Sequence, residues 1–113
     1  MNITRCTIGM TSKDKYNMTL SPKIGKMSDH KGERINVHLY AFYEDTDKDG
    51  NTREILSIMD NDGNVYATNS ATFKADFEKI LDITDDDAFD DLTIEVISGT
   101  SKSGREFITC AFV

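Results

Sequence analysis

The sequence predicts a mainly β domain with one helix inserted between its strands. A strand–turn–strand pattern occurs twice, beginning at Ile55 and again at Leu92. The turns at residues 61–64 and 99–104 supply the Gly and small polar residues that tight hairpins need, between runs rich in Ile, Val and aromatic residues. A helix is predicted at about residues 70–82, because apolar residues there recur at helical spacing.

The N-terminal third is predicted to contribute two strands, at residues 3–10 and 16–20, joined by a turn at residues 11–15. Ser21 and Pro22 then bend the chain, and residues 25–32 form a loop rich in Gly, Lys and Asp.

Residues 34–44 alternate in hydropathy, which predicts a strand with two different faces. The predicted core face consists of Ile35, Val37, Leu39, Ala41 and Tyr43. The opposite face, expected to be exposed, consists of Asn36, His38, Tyr40 and Phe42. Exposed aromatic rings in a row suit the stacking of unpaired bases, which contributes about 1–3 kcal/mol per base. The alternative is that another layer of the protein covers this face, and the residues alone leave both readings open.

Two further strands are predicted at residues 53–59 and 65–68, the first after a polar turn at residues 44–51. Asn69 or Ser70 can cap the helix, whose apolar face of Phe73, Phe77, Ile80 and Leu81 is expected to pack on the sheet. Residues 84–91 contain five Asp, so this loop is expected to face away from any bound DNA. Strands at residues 92–97 and 106–113 complete the domain.

The net charge of −7 is distributed unevenly along the 113 residues. Residues 1–43 carry seven Lys or Arg against three Asp or Glu, whereas residues 44–113 carry six against seventeen. The basic residues between positions 13 and 34 can line a groove for phosphates if adjacent strands bring them together. The alternative is an ordinary solvated face. The length fits a single domain spanning residues 1–113.

Several classes of protein are disfavoured by the residues. No apolar run approaches the roughly 18 residues that span a bilayer, and the N-terminus lacks a secretory signal, so we expect a cytosolic protein without a membrane partner. Cys6 and Cys110 have no zinc-ligand neighbours and are expected to be free thiols. His30 and His38 lack the context of a catalytic dyad, and no phosphate-binding glycine loop is present. We therefore predict no enzyme and no cofactor.

Residues 45–50 have the opening pattern of a calcium loop, with Asp45, Asp47 and Asp49 before Gly50. Leu56 stands where the helix-loop-helix calcium site needs a bidentate Glu, and the flanking segments are predicted strands. The sequence therefore favours an acidic hairpin turn over a metal site.

The second half of the chain carries a specific order of motifs. Asp62-Gly63 is followed by Tyr66, then by a helix ending in Ile-Leu-Asp-Ile, then by Gly99-Thr100-Ser101 with Gly104 and Phe107. In this order and spacing, residues 35–113 resemble the single-stranded-DNA-binding proteins of small protein-primed Bacillus phages. The resemblance implies a small OB-like Greek-key barrel of about five to six strands, whose strand face and loops bind oligonucleotides.

The resemblance also implies a non-catalytic protein that coats displaced single strands during phage DNA replication in the host cytoplasm. Its implied partners are single-stranded DNA and phage replication proteins, and it would act as a monomer or small homo-oligomer. Tyr40 and Tyr66 fall where the family has tyrosines associated with stacking; a third falls at Asp47, where Phe42 or Tyr43 would substitute. The predicted DNA-binding residues are Tyr40, Tyr66, Phe42, His38, Lys23, Lys26, Lys31, Arg34, Lys102 and Arg105.

A function of another class fits the acidic part of the chain. A small acidic phage protein can bind a host protein, using an aspartate-rich surface to imitate DNA or to block a basic channel. The exposed aromatic face favours the coating protein, whereas the acidic C-terminal two thirds favours the inhibitor.

Overall fold

The structure is a computed structural model that describes residues 2–84 and 92–113. Within these ranges the strands are β1 (Asn2–Cys6), β2 (Gly25–Lys26), β3 (Arg34–Thr46), β4 (Thr52–Asp60), β5 (Val65–Thr68), β6 (Thr93–Thr100) and β7 (Glu106–Phe112). The helices are α1 (Ser12–Thr19), a 3₁₀ helix (Met27–His30) and α2 (Ala71–Thr84). Residues 85–91, which hold the Asp residues of the predicted acidic loop, lie outside the described residues.

The seven described strands form one sheet that curls into a half-barrel. The order is β2-β5-β4-β3-β6-β7, and β1 pairs with β3. The first residues of the 13-residue β3 pair with β6, whereas the remainder pairs with β4. A long strand that joins the two halves of a curled sheet is consistent with a small OB-like barrel. The predicted fold class is therefore confirmed.

A β-bulge in β3 changes the face on which two of its aromatic side chains lie, although the five predicted core residues of this strand are all buried. The pairing of β3 with β4 shifts register between Val37 and Leu39. An extra residue at a bulge moves the following side chains to the opposite face. Tyr40 and Phe42 therefore continue the face of Ile35 and Val37, and all four lie in the main core. The expectation that Tyr40 and Phe42 are exposed is wrong, since they are 4% and 1% exposed.

The main core lies between the curled sheet and α2. Phe73, Phe77, Ile80 and Leu81 of α2 are all buried against it, as their spacing predicts. Ser70 caps this helix, because its Oγ accepts a hydrogen bond from the Phe73 backbone N–H at 3.3 Å. No helix among the described residues is both long and apolar enough to cross a bilayer.

Residues 12–19 form the helix α1, so the predicted turn at residues 11–15 and the predicted strand at residues 16–20 are wrong. Thr11 Oγ1 accepts a hydrogen bond from the Asp14 backbone N–H, and Asp14 Oδ2 accepts one from the Thr11 backbone N–H, both at 3.1 Å. This reciprocal capping box fixes the start of the helix. Met18 of α1 is fully buried and packs in a second apolar cluster with Leu39 and Ala41 of β3. α1 therefore helps to cover the face of β3 opposite the main core.

Asp47 organises the turn between β3 and β4. Its Oδ1 accepts hydrogen bonds from the backbone N–H groups of Asn51 and Asp49, each at 2.9 Å, and its Oδ2 lies 3.5 Å from Arg53. The hydrogen bond from Asn51 makes the largest contribution to lowering the pKa of Asp47. The hydrogen bond from Asp49 and the positive charge of Arg53 act in the same direction. Among the described residues, no group of three or more His, Cys, Asp or Glu side chains is placed to hold a metal ion.

Cys6 and Cys110 are free, as predicted. Burial raises the pKa of the Cys110 thiol to about 12, and the nearby charge of Asp76 acts in the same direction. This thiol is therefore protonated and unreactive near neutral pH.

Candidate nucleic-acid interface

A groove of about 640 Å³ lies among residues of β4, β5, the start of β7 and the segment around the 3₁₀ helix. Its lining combines basic, acidic, apolar and amide side chains, notably Lys26, Lys31, Arg53, Glu106, Asn69 and Phe107. The volume falls within the range of about 300–1,000 Å³ that is usual for ligand sites. The groove therefore has room for part of a nucleotide chain.

Phe107 gives the groove an aromatic wall. It pairs with Gly99 across the β6–β7 hairpin, and its ring lies over that glycine. A Cβ atom on Gly99 would lie 2.5 Å from the ring Cζ of Phe107, so any larger residue would displace the ring. Phe107 is half-buried and lines the groove, and an aromatic ring in such a position can stack with a base.

Three cations line the groove, and two of them are paired with carboxylates. Lys31 Nζ lies 3.3 Å from Oε2 of Glu106, and Arg53 Nη2 lies 3.5 Å from Oδ2 of Asp47. Lys26 has no ion pair among the described residues. The Lys31 and Arg53 side chains are 37% and 58% exposed. Because exposed ion pairs are weak in water, a phosphate can compete for both cations.

The start of α2 borders the groove. Ser70 lines it and donates a hydrogen bond from its hydroxyl to the backbone carbonyl of Ile108 at 3.1 Å, which ties the helix to β7. A helix N-terminus carries a partial positive charge that favours anions. The end of the groove formed by Asn69 and Ser70 is therefore electrostatically compatible with a phosphate.

Tyr66 lies beside the groove but not in its lining. Its neighbour Ala67 lines the groove, whereas the Tyr66 ring packs 4.2 Å from the ring of His30, measured between centroids. The Tyr66 hydroxyl donates to Oδ2 of Asp60 at 3.3 Å. Partial burial and the negative charge of Asp60 raise the pKa of Tyr66, so it remains a hydrogen-bond donor at neutral pH. Tyr66 is half-buried and also packs against the main core.

Comparison with known protein families matches residues 9–112, nearly the whole chain, to the phi29-type phage single-stranded DNA-binding protein. The chain belongs to this family. The resemblance carried by the second half of the sequence is therefore confirmed, and the match extends it across α1 and the N-terminal basic residues. Comparisons with curated proteins and with solved structures find no match.

The three positions that the resemblance links to stacking tyrosines differ in the structure. Tyr40 lies in the core, Tyr66 is partly exposed beside the groove, and Asp47 forms the β3–β4 turn. Phe42 and Tyr43, the expected substitutes for the third ring, are 1% and 4% exposed. That expectation is wrong, because both rings are buried: Phe42 packs in the main core beside Phe77, and Tyr43 belongs to the predicted core face of β3.

Two of the predicted basic contacts of this DNA-binding protein, Lys26 and Lys31, meet in the groove. Lys102 and Arg105 are exposed in the turn between β6 and β7, immediately before the groove residues at the start of β7.

The remaining predicted residues lie outside the groove lining. Lys23 is exposed in the segment before β2, and His38 is exposed at the bulge of β3. Arg34 pairs with Glu95 across β3 and β6, with Nε 3.6 Å from Oε1. The structure does not bring these three residues to the groove.

Sequence reasoning missed Arg53, Asn69 and Phe107 as groove residues. Phe107 was noted only as part of a motif. The register of the β6–β7 hairpin places it opposite Gly99, and an aromatic residue facing a strand glycine is a recognisable pairing. Arg53 carries no comparable signal, because it lies in the acidic part of the chain.

Proposed function

We propose that the protein binds single-stranded DNA without sequence preference in the groove beside Phe107. The observation that carries this proposal is the combination, in one groove, of an aromatic ring with Lys26, Lys31 and Arg53. Single-strand-binding proteins combine these two elements: cations follow the backbone and rings stack on bases.

In this proposal the bases contact Phe107, and Tyr66 extends the aromatic surface beside the groove. The phosphates contact Lys26, Lys31 and Arg53, and Lys102 and Arg105 bind the strand as it leaves past the β6–β7 turn. Stacking on Phe107 needs an unpaired base and reads no base edge, so it gives preference for single strands but not for sequence. Tyr40 and Phe42 take no part, because their rings are enclosed in the core.

The biological role that we propose is the coating of displaced single strands during phage DNA replication, in the cytoplasm of the host. Membership in a phage single-stranded DNA-binding family supports this role. The expected partners are single-stranded DNA and phage replication proteins, and the protein acts as a monomer or small homo-oligomer.

The test compares single-stranded and duplex DNA under the same conditions. Fluorescence anisotropy of labelled oligo-dT and of a duplex of equal length, titrated with the protein at low salt, measures both affinities. One stacked base contributes about 1–3 kcal/mol, so we expect oligo-dT to bind about tenfold more tightly or better. Equal or tighter binding of the duplex would contradict the proposal. No binding to either would favour the acidic inhibitor of a host protein.

A further inference from the structure

Among the described residues, the groove lining contains as many carboxylates as cations. The lining cations are Lys26, Lys31 and Arg53, and the lining carboxylates are Asp45, Asp47 and Glu106. A balanced charge attracts a polyanion only weakly, because strong steering requires a surface dominated by one sign. The carboxylates therefore reduce the charge-driven part of DNA binding.

Glu106 differs from Asp47 in what else it contacts. Asp47 is fixed by hydrogen bonds from two backbone N–H groups and supports the β3–β4 turn. The Glu106 side chain is 77% exposed, and its ion pair within the described residues is with Lys31 at 3.3 Å. Glu106 can therefore swing away from Lys31 without disturbing a turn. It also directly precedes Phe107 on β7.

We propose that Glu106 is a specificity-determining residue of the groove, an inference that rests on the proposed function. Its carboxylate occupies Lys31, so a DNA phosphate must displace it before contacting that cation. This competition weakens the electrostatic attraction that single and double strands share, and it leaves stacking on Phe107 unchanged. Binding then depends more on stacking, which only unpaired bases provide.

The size of the effect follows from counterion release. When a phosphate displaces Glu106 from Lys31, the freed carboxylate takes up a cation, so this contact releases no net counterion in the wild-type protein. Without the carboxylate the same contact steepens the log–log salt slope by about 0.7 for single strands and about 0.9 for duplex DNA. We assume that the DNA affinities of the wild type and the variant become equal near 1 M salt. At 50 mM salt the variant then binds single strands about eightfold more tightly, and duplex DNA about fifteenfold more tightly, than the wild type does. Removing the carboxylate should therefore tighten binding to both and lower the preference for single strands by about twofold.

The experiment measures oligo-dT and duplex affinity between 50 mM and 1 M salt for wild type, Glu106→Gln and Glu78→Gln. Glu78 is exposed on α2 outside the groove lining, so its variant makes the same change in net charge elsewhere. We expect a steeper slope and tighter binding only for Glu106→Gln, with a nearly unchanged melting temperature, because exposed ion pairs contribute little stability.

Three results would overturn the inference: a salt slope for Glu106→Gln equal to that of the wild type, weaker binding by Glu106→Gln, or an equal effect of Glu78→Gln. The proposed function would still hold in each case, provided that the wild-type protein prefers single strands. Wild-type protein that fails to prefer single strands would instead overturn the proposed function itself.

Discussion

Tyr40 shows how one residue's burial decides its role. Its ring lies edge-on to Phe42 and Phe77, at centroid distances of 6.0 and 5.7 Å, and it is 4% exposed. Tyr40→Ala should lower the free energy of unfolding by about 3–5 kcal/mol, because truncation of a buried ring leaves a cavity. Urea unfolding followed by circular dichroism measures this loss.

Tyr66→Ala is the matched comparison, since Tyr66 is only half-buried and should cost less stability. If the Tyr40→Ala protein is as stable as the wild type but binds DNA poorly, Tyr40 belongs to the DNA interface and its assignment to the core is wrong.

Tyr40 also shows what the hydropathy pattern of β3 cannot predict. Alternation along β3 correctly predicts a buried strand, and Ile35 and Val37 lie in the core as expected. After the bulge Leu39, Ala41 and Tyr43 are buried as predicted, but Tyr40 and Phe42 are buried too. The register shift that turns these two rings toward the main core arises from pairing with β4, which no local pattern reveals.

At the scale of elements, α1 depends on its N-terminal cap. Thr11→Ala removes the hydroxyl that accepts the Asp14 backbone N–H at 3.1 Å. We expect the free energy of unfolding to fall by about 1 kcal/mol, the usual effect of losing an N-cap side chain. The exposed neighbour Ser12→Ala is the control, and chemical denaturation measures both. Equal losses for the two variants would show that the capping box does not stabilise the protein.

The elements with strong local signals are the ones that the sequence predicts well. The spacing of four apolar residues identifies α2, and the turn glycine with its flanking Ile and Val residues identifies the β4–β5 hairpin. α1 has only one buried residue, Met18, so apolar periodicity could not reveal it. The sequence feature that indicates α1 is the spacing of Thr11 and Asp14, which is that of a capping box. Packing of Met18 in the second apolar cluster further stabilises the helix.

At the scale of the whole molecule, an acidic protein must bind a polyanion. The net charge is −7, and the groove cations come from segments far apart in the chain. The N-terminal excess of basic residues predicts Lys26 and Lys31, but the sheet topology that brings Arg53 and Phe107 beside them is a long-range property. This is why the family and the fold class are predictable here, whereas the position of the groove is not.

The claim that DNA binds in this groove is tested most directly by two phenylalanines of β7. Phe107 lines the groove, whereas Phe112 is 48% exposed on the same strand and lies outside the lining. With both variants shown to be folded by circular dichroism, titration of oligo-dT compares Phe107→Ala with Phe112→Ala. We expect Phe107→Ala to lose about 1–3 kcal/mol of binding free energy, the range for one stacked base, and Phe112→Ala to bind like wild type. Wild-type affinity in a folded Phe107→Ala protein would contradict the account.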